Sequence, residues 1–171
     1  KPFVYSCINR LDRDTTGLSI VAKHALAGGI LGNAVAKRAI HRTYYAVCSG
    51  CTPACMRISA PIARKDASTI ERCVDFKRGE NAVTDFIRIK YNPDNNLSLV
   101  KLRLLTGRTH QIRVHMKYIG FPLIGDFLYN PDYTYISRQA LHSGRLVFTH
   151  PVTGQKMNLI SDIPSDMKSL F

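Results

Sequence analysis

Alternation of apolar and polar residues predicts a set of antiparallel strands in this chain. Residues 84–91 and 97–104 each follow the two-residue period of a β-strand. Between them, 92–96 reads Asn-Pro-Asp-Asn-Asn, a composition typical of a tight turn. The two runs should therefore pair as an antiparallel hairpin. Further strands are predicted at 18–22, 44–48, 146–148 and 157–160.

Helical spacing of apolar residues occurs in two segments. Residues 24–40 have this spacing, although each of the three glycines within them weakens a helix by about 1 kcal/mol relative to alanine. Residues 110–118 contain no helix-breaking residue, and Thr109 is a candidate N-cap. The polar segment 51–81 is interpreted as irregular. Several antiparallel strands with few helices predict an α+β fold rather than an alternating βαβ fold.

The composition excludes several classes of protein. With 171 residues, of which 45% are hydrophobic, the chain can form one domain with its own core and is not intrinsically disordered. No window approaches the roughly 18 apolar residues of a membrane span, and no signal peptide is apparent. We therefore expect a cytoplasmic protein with no membrane partner.

The charge balance points to a polyanionic partner. The chain has 24 Lys and Arg but only 12 Asp and Glu, a formal net charge of +12. Nucleic acid is the simplest polyanion that such a chain would bind.

Five cysteines raise the question of a metal site. Cys48, Cys51 and Cys55 form a C-x2-C-x3-C cluster. A structural zinc site needs four ligands, commonly in two paired short spacings, and this cluster lacks the fourth. We therefore favour reduced, incidental thiols and expect no metal.

The first dense polar cluster is 9–17, Asn-Arg-Leu-Asp-Arg-Asp-Thr-Thr-Gly. One interpretation is a solvated turn, in which Asp14 and Thr15 cap backbone groups. The other is a functional carboxylate among cations, because neighbouring arginines favour the ionised form that can attack an electrophilic carbon.

The second cluster, 104–115, links a predicted strand to a predicted helix. Its side chains at Arg108, His110, Arg113 and His115 cannot all be core residues. Helix N-termini and arginines bind phosphates and carboxylates well. The two histidines lack the i, i+4 spacing of a familiar zinc motif, which disfavours a metal here.

Ordered motifs along the chain resemble one enzyme family. The matching segments are 10–18 (Arg-Leu-Asp-x-x-Thr-Thr-Gly-Leu), 42–44 (Arg-Thr-Tyr), 106–115, 120–126 (Gly-Phe-Pro-Leu-Ile-Gly-Asp), 141–142 and 150–154. Together they resemble the RluA-like pseudouridine synthases, and several motifs in order are more specific than any one of them. The resemblance implies a mixed, mostly antiparallel β-sheet flanked by helices, with the site in a basic cleft.

The resemblance also implies a reaction and its residues. The family isomerises uridine to pseudouridine in RNA by breaking the N1–C1′ bond and forming a C5–C1′ bond, with no cofactor and no metal. Asp12 matches the catalytic aspartate, Tyr44 the tyrosine that packs on the base, and Arg113 the basic partner of the aspartate. Arg10 matches the arginine that helps displace the base. From the two polar clusters and the net charge, we also expect Arg13, Arg108, His110 and His115 to contact RNA.

The chemistry of these residue types is consistent with that reaction. A uridine within paired or stacked RNA must be flipped out, which costs a few kcal/mol and leaves a gap that a long cationic Arg10 can fill. Tyr44 would then stack on the flipped base. Whether Asp12 attacks the sugar, attacks the base, or assists a glycal route by proton abstraction stays open.

Three positions depart from the family pattern. Asn9 occupies a position where the family usually has His, and Arg42 replaces a common Lys. Asp12 lies only eleven residues after the first residue, and Lys1-Pro2 resembles the start of a loop that the family has further upstream. We therefore expect residues 1–171 to be a single catalytic domain lacking the family's N-terminal strand and loop. An upstream S4-like domain stays an open question.

Two other functions remain as alternatives. One is a basic RNA-binding or ribosome-assembly module that has lost catalysis. The other is a glycoside hydrolase with Asp12 and Asp14 as its carboxylate pair, although a net charge of +12 suits a neutral sugar poorly. For the leading hypothesis the expected substrate is 23S ribosomal RNA, with tRNA also possible, and the expected state is a monomer.

Overall fold

A computed structural model describes residues 5–67 and 69–171 of the chain. Its helices are α1 (Ala25–Ala36), α2 (Gln111–Tyr118) and α3 (Ser165–Lys168). Its strands are β1 (Ser6–Cys7), β2 (Thr16–Gly17), β3 (Val21–Ala22), β4 (His41–Ser49), β5 (Cys55–Ser59), β6 (Ile62–Arg64), β7 (Arg72–Val74), β8 (Val83–Asn92), β9 (Leu97–Leu104), β10 (Leu141–Thr149) and β11 (Lys156–Ile160). Lys1-Pro2 lies outside the described residues.

One large sheet organises the fold. Its strands follow the order β11-β10-β4-β9-β8-β5 with antiparallel neighbours, and β2 pairs with β10 in parallel. This arrangement confirms the predicted α+β class and the mixed, mostly antiparallel sheet. The predicted hairpin is β8–β9, in which Asn92 pairs with Leu97 and Thr84 with Leu104.

Segment 51–81 is more regular than its sequence indicates, and this prediction was wrong. It contains edge strand β5 and the separate hairpin β6–β7. In β5 only Ile58 is buried, because the strand covers just one edge of the sheet, so no apolar alternation marks it. The predicted strand at 18–22 shortens to β3, which pairs with β1.

Both predicted long helices are present, but the start of α2 differs from expectation. Its N-cap is His110, in the left-handed conformation with φ of 56°, and not Thr109. The Gln111 side chain explains the turn, since its Oε1 accepts from the Arg108 backbone N–H at 2.9 Å and from the Thr106 hydroxyl at 2.8 Å. The turn from β9 into α2 is thus fixed by side-chain bonds.

Strand β4 contributes buried side chains to both faces of the sheet. Tyr44, Ala46 and Cys48 pack on one face, against residues of α2, whereas Val47 packs on the other face with Met167 of α3. A third cluster joins α1 to β3 and β10. Tyr44 and the helix that bears Arg113 are therefore in the same layer.

The cysteines of the C-x2-C-x3-C cluster occupy different environments. Cys48 is buried in the core, whereas Cys51 and Cys55 are exposed. Within residues 5–67 and 69–171, no three His, Cys, Asp or Glu side chains are grouped as metal ligands would be. No helix in this described part is both long and apolar enough to cross a membrane.

Candidate active site

Asp12 lies in the segment between β1 and β2, and the residues that follow Asp12 are held by strand pairing and by side-chain bonds. Pairing of β2 with β10 holds the end of the segment, and Gln139 Nε2 donates to the Arg13 carbonyl at 2.8 Å and to the Thr15 hydroxyl at 2.7 Å. The Asp12 side chain keeps 24% of its surface exposed. The carboxylate is therefore fixed in position yet open to a ligand.

Asn9 anchors the start of the same segment. The Ile20 backbone N–H donates to Asn9 Oδ1 at 2.7 Å, and the Asn9 carbonyl accepts from the Ser19 hydroxyl at 2.8 Å. Asn9 is buried. The residue that departs from the family pattern therefore bonds the loop to the residues leading into β3.

Arg113 joins Asp12 to a second carboxylate that the sequence did not single out as a site residue. Its Nε and Nη2 donate to Asp126 Oδ2 and Oδ1, each at 2.7 Å, while its Nη1 reaches Asp12 Oδ2 at 3.3 Å. The Arg113 side chain is 1% exposed and Asp126 is fully buried. Planar, bidentate pairing of this kind is among the strongest ion pairs in proteins.

The two carboxylates differ in the number and length of the hydrogen bonds that they accept. Asp126 Oδ1 also accepts from the backbone N–H groups of Leu128 and Tyr129, so both of its oxygens are engaged. The Asp12 carboxylate receives only the longer bond from Arg113 among the described residues. One guanidinium thus faces two carboxylates, and the remaining negative charge lies on Asp12, the residue that a substrate can reach.

The pKa of Arg113 is raised above its usual value. Burial alone would lower this pKa, but the hydrogen bonds and charge of Asp126, with the charge of Asp12, outweigh burial. Arg113 is therefore a permanent cation beside Asp12. The rings of Tyr129 and Phe127 lie 4.9 and 5.3 Å from its Cζ and complete its enclosure.

The aromatic side chain of Tyr44 lines the same cavity as Asp12. It is buried on β4, and burial raises the pKa of its phenol, with the charge of Asp12 adding to that rise and Arg42 opposing it. The phenol is thus neutral at physiological pH.

Asp12, Tyr44 and Arg113 surround one small cavity of about 90 Å³. Next to it runs a larger cleft of about 620 Å³, and Arg10, Asp12 and Arg42 line both. The structure therefore brings together the three predicted catalytic residues, with a broad cleft beside them.

That larger cleft has an uncompensated positive charge. Five arginines line it. Among the described residues, Arg108 pairs with Glu80, whereas the other four have no carboxylate within ion-pair distance; they are Arg10, Arg38, Arg42 and Arg103. Elsewhere several arginines are paired, as Arg57 is with Asp85 and Arg138 with Asp166. Unpaired guanidiniums facing a groove are suited to phosphate groups.

Of the five predicted RNA-contacting residues, three line the small cavity and two, Arg13 and His115, do not. Arg10, Arg108 and His110 are cavity residues. Burial lowers the pKa of His110, whose Nδ1 lies 2.9 Å from the Tyr129 hydroxyl. Arg13 is not a lining residue of either cavity; it is exposed, pairs with Asp14 at 3.2 Å, and its Cζ lies 4.4 Å from the centroid of the Phe127 ring.

The expectation that His115 contacts RNA was wrong. Its side chain is fully buried on α2, with Nδ1 2.9 Å from the Thr84 hydroxyl and Nε2 2.9 Å from the Ala60 carbonyl. Because a carbonyl only accepts, Nε2 carries the proton and Nδ1 accepts from Thr84. His115 therefore stabilises the packing of α2 on the sheet.

Two site residues were missed by the sequence reasoning, Asp126 and Tyr129. Asp126 ends the 120–126 motif, so a signal for it was present, but its pairing with Arg113 is visible only in three dimensions. Tyr129 lies three residues further, and its hydroxyl contacts His110 and accepts from the Arg72 backbone N–H.

Comparisons with known proteins agree with this geometry. A profile of the family described as RNA pseudouridylate synthase matches residues 1–118. An uncharacterised RNA pseudouridine synthase of Bacillus subtilis, YjbO, is 47% identical over 166 residues, covering 96% of this chain and 57% of the relative. Ribosomal large subunit pseudouridine synthase D of Zymomonas mobilis is 37% identical and covers 96% of this chain and 54% of its own length.

A solved structure shares the fold. Human RNA Pseudouridylate Synthase Domain Containing 1 superposes with a TM-score of 0.82 at 25% identity, covering 93% of this chain and 69% of that chain. The chain spans little more than half the length of the curated relatives above.

Proposed function

The chain belongs to the RNA pseudouridylate synthase family, as its resemblance to RluA-like enzymes predicted, and from this premise we propose that it converts uridine to pseudouridine in RNA. The observation that carries the proposal is the environment of Asp12. This carboxylate has one cationic partner, Arg113, at 3.3 Å, and it faces a cavity with a buried tyrosine.

The reaction begins when the RNA enters the cleft and the target nucleotide reaches the cavity. The target nucleotide flips out of the RNA while the backbone stays in the cleft of unpaired arginines. Arg10, which is exposed and lines both cavities, fills the gap left in the RNA. The flipped uracil stacks on the ring of Tyr44, a contact worth about 1–3 kcal/mol.

Bond exchange at C1′ follows. The anionic Asp12 acts on the nucleotide, the N1–C1′ bond breaks, the ring turns, and C5 bonds to C1′. The proton lost from C5 balances the one gained at N1, so the reaction is an isomerisation that needs no oxidant. Arg113, fixed by Asp126, holds the Asp12 carboxylate in position through each step.

Large-subunit ribosomal RNA is the substrate we propose. Relatives named ribosomal large subunit pseudouridine synthase D match nearly the whole chain at 37–39% identity. The charge of +12 and the open cleft suit a large folded RNA. A tRNA target is the alternative that the mapping below distinguishes.

A glycosidase built on Asp12 and Asp14 is disfavoured by the site. Asp14 has a side chain 42% exposed, pairs with Arg13, and lines neither cavity around Asp12. The two carboxylates therefore do not face a common substrate position.

Pseudouridine mapping tests the proposal. Ribosomal RNA and tRNA from a strain lacking the gene are incubated with the purified protein and mapped chemically for pseudouridine. We expect new pseudouridine at defined positions of large-subunit RNA. New pseudouridine only in tRNA would show that tRNA, and not large-subunit RNA, is the substrate. No new pseudouridine in either RNA would contradict the proposed activity.

A further inference from the structure

Two aromatic side chains outside the active site are exposed next to each other. Phe76 follows β7 and is 70% exposed, and Tyr118 ends α2 and is 53% exposed. Their ring centroids lie 6.5 Å apart at an interplanar angle of 59°. We call this pair the aromatic platform.

The turn that carries Phe76 is well fixed. Asp75 Oδ1 accepts from the backbone N–H groups of Lys77 and Arg78 at 2.8 and 3.0 Å, and Asp75 Oδ2 pairs with Arg78 at 2.7 Å. These bonds lower the pKa of Asp75, so they persist at neutral pH. The Phe76 ring is therefore held outward by a bonded turn.

Cations surround the platform. A hollow of about 530 Å³ beside the two rings is also lined by Lys65, Arg72 and Lys117. Glu71 is the acidic residue of this lining, and Lys65 pairs with it at 3.0 Å. Exposed aromatic rings among lysines and arginines are the arrangement that binds unpaired nucleotides, by stacking and by phosphate contacts.

Arginines connect the platform to the active site. Arg108 lines the small cavity with Asp12 and also a neighbouring hollow of about 520 Å³. Arg72 lines that same hollow and the hollow of the platform. The middle hollow is lined by four arginines and by Glu80, which pairs with Arg108. Successive hollows with shared arginines therefore give a path from Asp12 to Phe76 whose lining is basic on balance.

We propose that the aromatic platform is a second RNA-binding site, which stacks an unpaired base several nucleotides away from the target uridine. This inference rests on the proposed function for the nature of the polymer. The ligand of the platform is single-stranded RNA, because stacking requires an unpaired base and the arginines of the basic path bind phosphate groups. The platform thereby favours target uridines next to a single-stranded stretch.

A single tryptophan reports directly on stacking at this site. The chain contains no tryptophan, so Phe76→Trp introduces a unique fluorophore at the platform. The probe is a single-stranded oligouridylate, and Ile160→Trp, at an equally exposed position on edge strand β11, is the matched control. We expect saturable quenching in Phe76→Trp and no quenching in Ile160→Trp.

Affinity measurements complete the test. Anisotropy of a fluorescein-labelled oligouridylate should show binding about tenfold weaker in Phe76→Ala, near-normal binding in Phe76→Trp, and no change in Ile160→Ala. A duplex of the same length should not distinguish Phe76→Ala from the unmodified chain.

The outcomes separate this inference from the proposed function. Unchanged fluorescence and affinity in the Phe76 variants, with normal pseudouridine formation by the unmodified chain, would overturn the platform alone and leave the surface to a protein partner. Quenching without any pseudouridine formation would support the platform and contradict the proposed activity.

Discussion

At the scale of single residues, the site depends on one arginine shared unequally by two carboxylates. Asp126 takes two short bonds from Arg113, and Asp12 takes one long bond. If Asp126 were absent, Arg113 would be free to pair fully with Asp12 and reduce its reactivity. Asp126 is thus a positioning residue that keeps Asp12 available.

Asp126→Asn should impair both stability and activity. Removing one partner of a buried ion pair lowers the free energy of unfolding by about 3 kcal/mol. Asp85→Asn is the control, because its pair with Arg57 is solvent-exposed and contributes about 1 kcal/mol or less. Thermal unfolding and the rate of pseudouridine formation measure the two effects. Equal losses in both variants would contradict the role of Asp126.

Buried histidines make stability depend on pH. Burial lowers the pKa of His115 and of His142 in the folded state, so the unfolded chain binds more protons than the folded one as the pH falls below about 6.5. Their contribution to stability is therefore present above that pH and is lost as the pH falls towards the folded-state pKa values.

Denaturant unfolding at a series of pH values tests this dependence. We expect the free energy of unfolding to fall as the pH drops below about 6.5, by at most about 1.4 kcal/mol per pH unit for each histidine. The fall should be smaller in His115→Gln. An equal fall in that variant would show that His115 does not contribute.

At the scale of elements, short strand β2 holds the Asp12 segment against β10. Gly17 makes this possible because its φ is 102° and a Cβ there would lie 2.3 Å from the Ser143 carbonyl oxygen. Only glycine fits both the conformation and the close approach.

Gly17→Ala should therefore destabilise the fold and weaken activity. Backbone strain and overpacking together cost about 2–5 kcal/mol. Gly29→Ala is the control, because a Cβ there meets nothing within 4 Å and alanine favours helix α1 by up to about 1 kcal/mol. Denaturant unfolding should show opposite signs for the two variants. A stable Gly17→Ala variant would contradict the close approach.

Sequence patterns predicted the elements that carry a periodic signal. Hairpin β8–β9 was found because two alternating runs flank a turn rich in Asn. Strand β5 was missed, since Cys55, Met56 and Arg57 face solvent and only Ile58 marks the core. Edge strands with one buried position carry too little signal to be distinguished from a polar loop.

The site was predicted through motifs rather than through periodicity. Asp12 and Arg113 are 101 residues apart, so their contact follows from the family resemblance and not from local spacing. His115 lies in the same motif, yet it faces the core because packing decides which side of α2 is buried. Asp126 was missed as a site residue for a similar reason, because sequence does not show which carboxylate an arginine selects.

At the scale of the whole molecule, part of the net charge of +12 lies on unpaired arginines beside the active site. Acidic residues pair with several arginines elsewhere, but among the described residues four of the five arginines of the cleft beside Asp12 have no such partner. RNA binding should therefore weaken steeply as salt concentration rises.

Arg38→Gln and Arg103→Gln should each reduce this salt dependence. For single-stranded RNA, each lost phosphate contact lowers the slope of log affinity against log salt by about 0.7. Arg57→Gln is the control, since Arg57 pairs with Asp85 and does not line the cleft. Binding titrations at several salt concentrations measure the slope. An unchanged slope in both cleft variants would place the RNA elsewhere.

The most direct test of the account is pseudouridine formation by Asp12→Asn, compared with Asp14→Asn. Asp12 faces the cavity with Tyr44 and Arg113, whereas Asp14 is an exposed neighbour two residues away. We predict that Asp12→Asn slows pseudouridine formation by about a thousandfold or more while RNA affinity stays within about threefold, and that Asp14→Asn is nearly normal. Undiminished pseudouridine formation by Asp12→Asn would contradict the account.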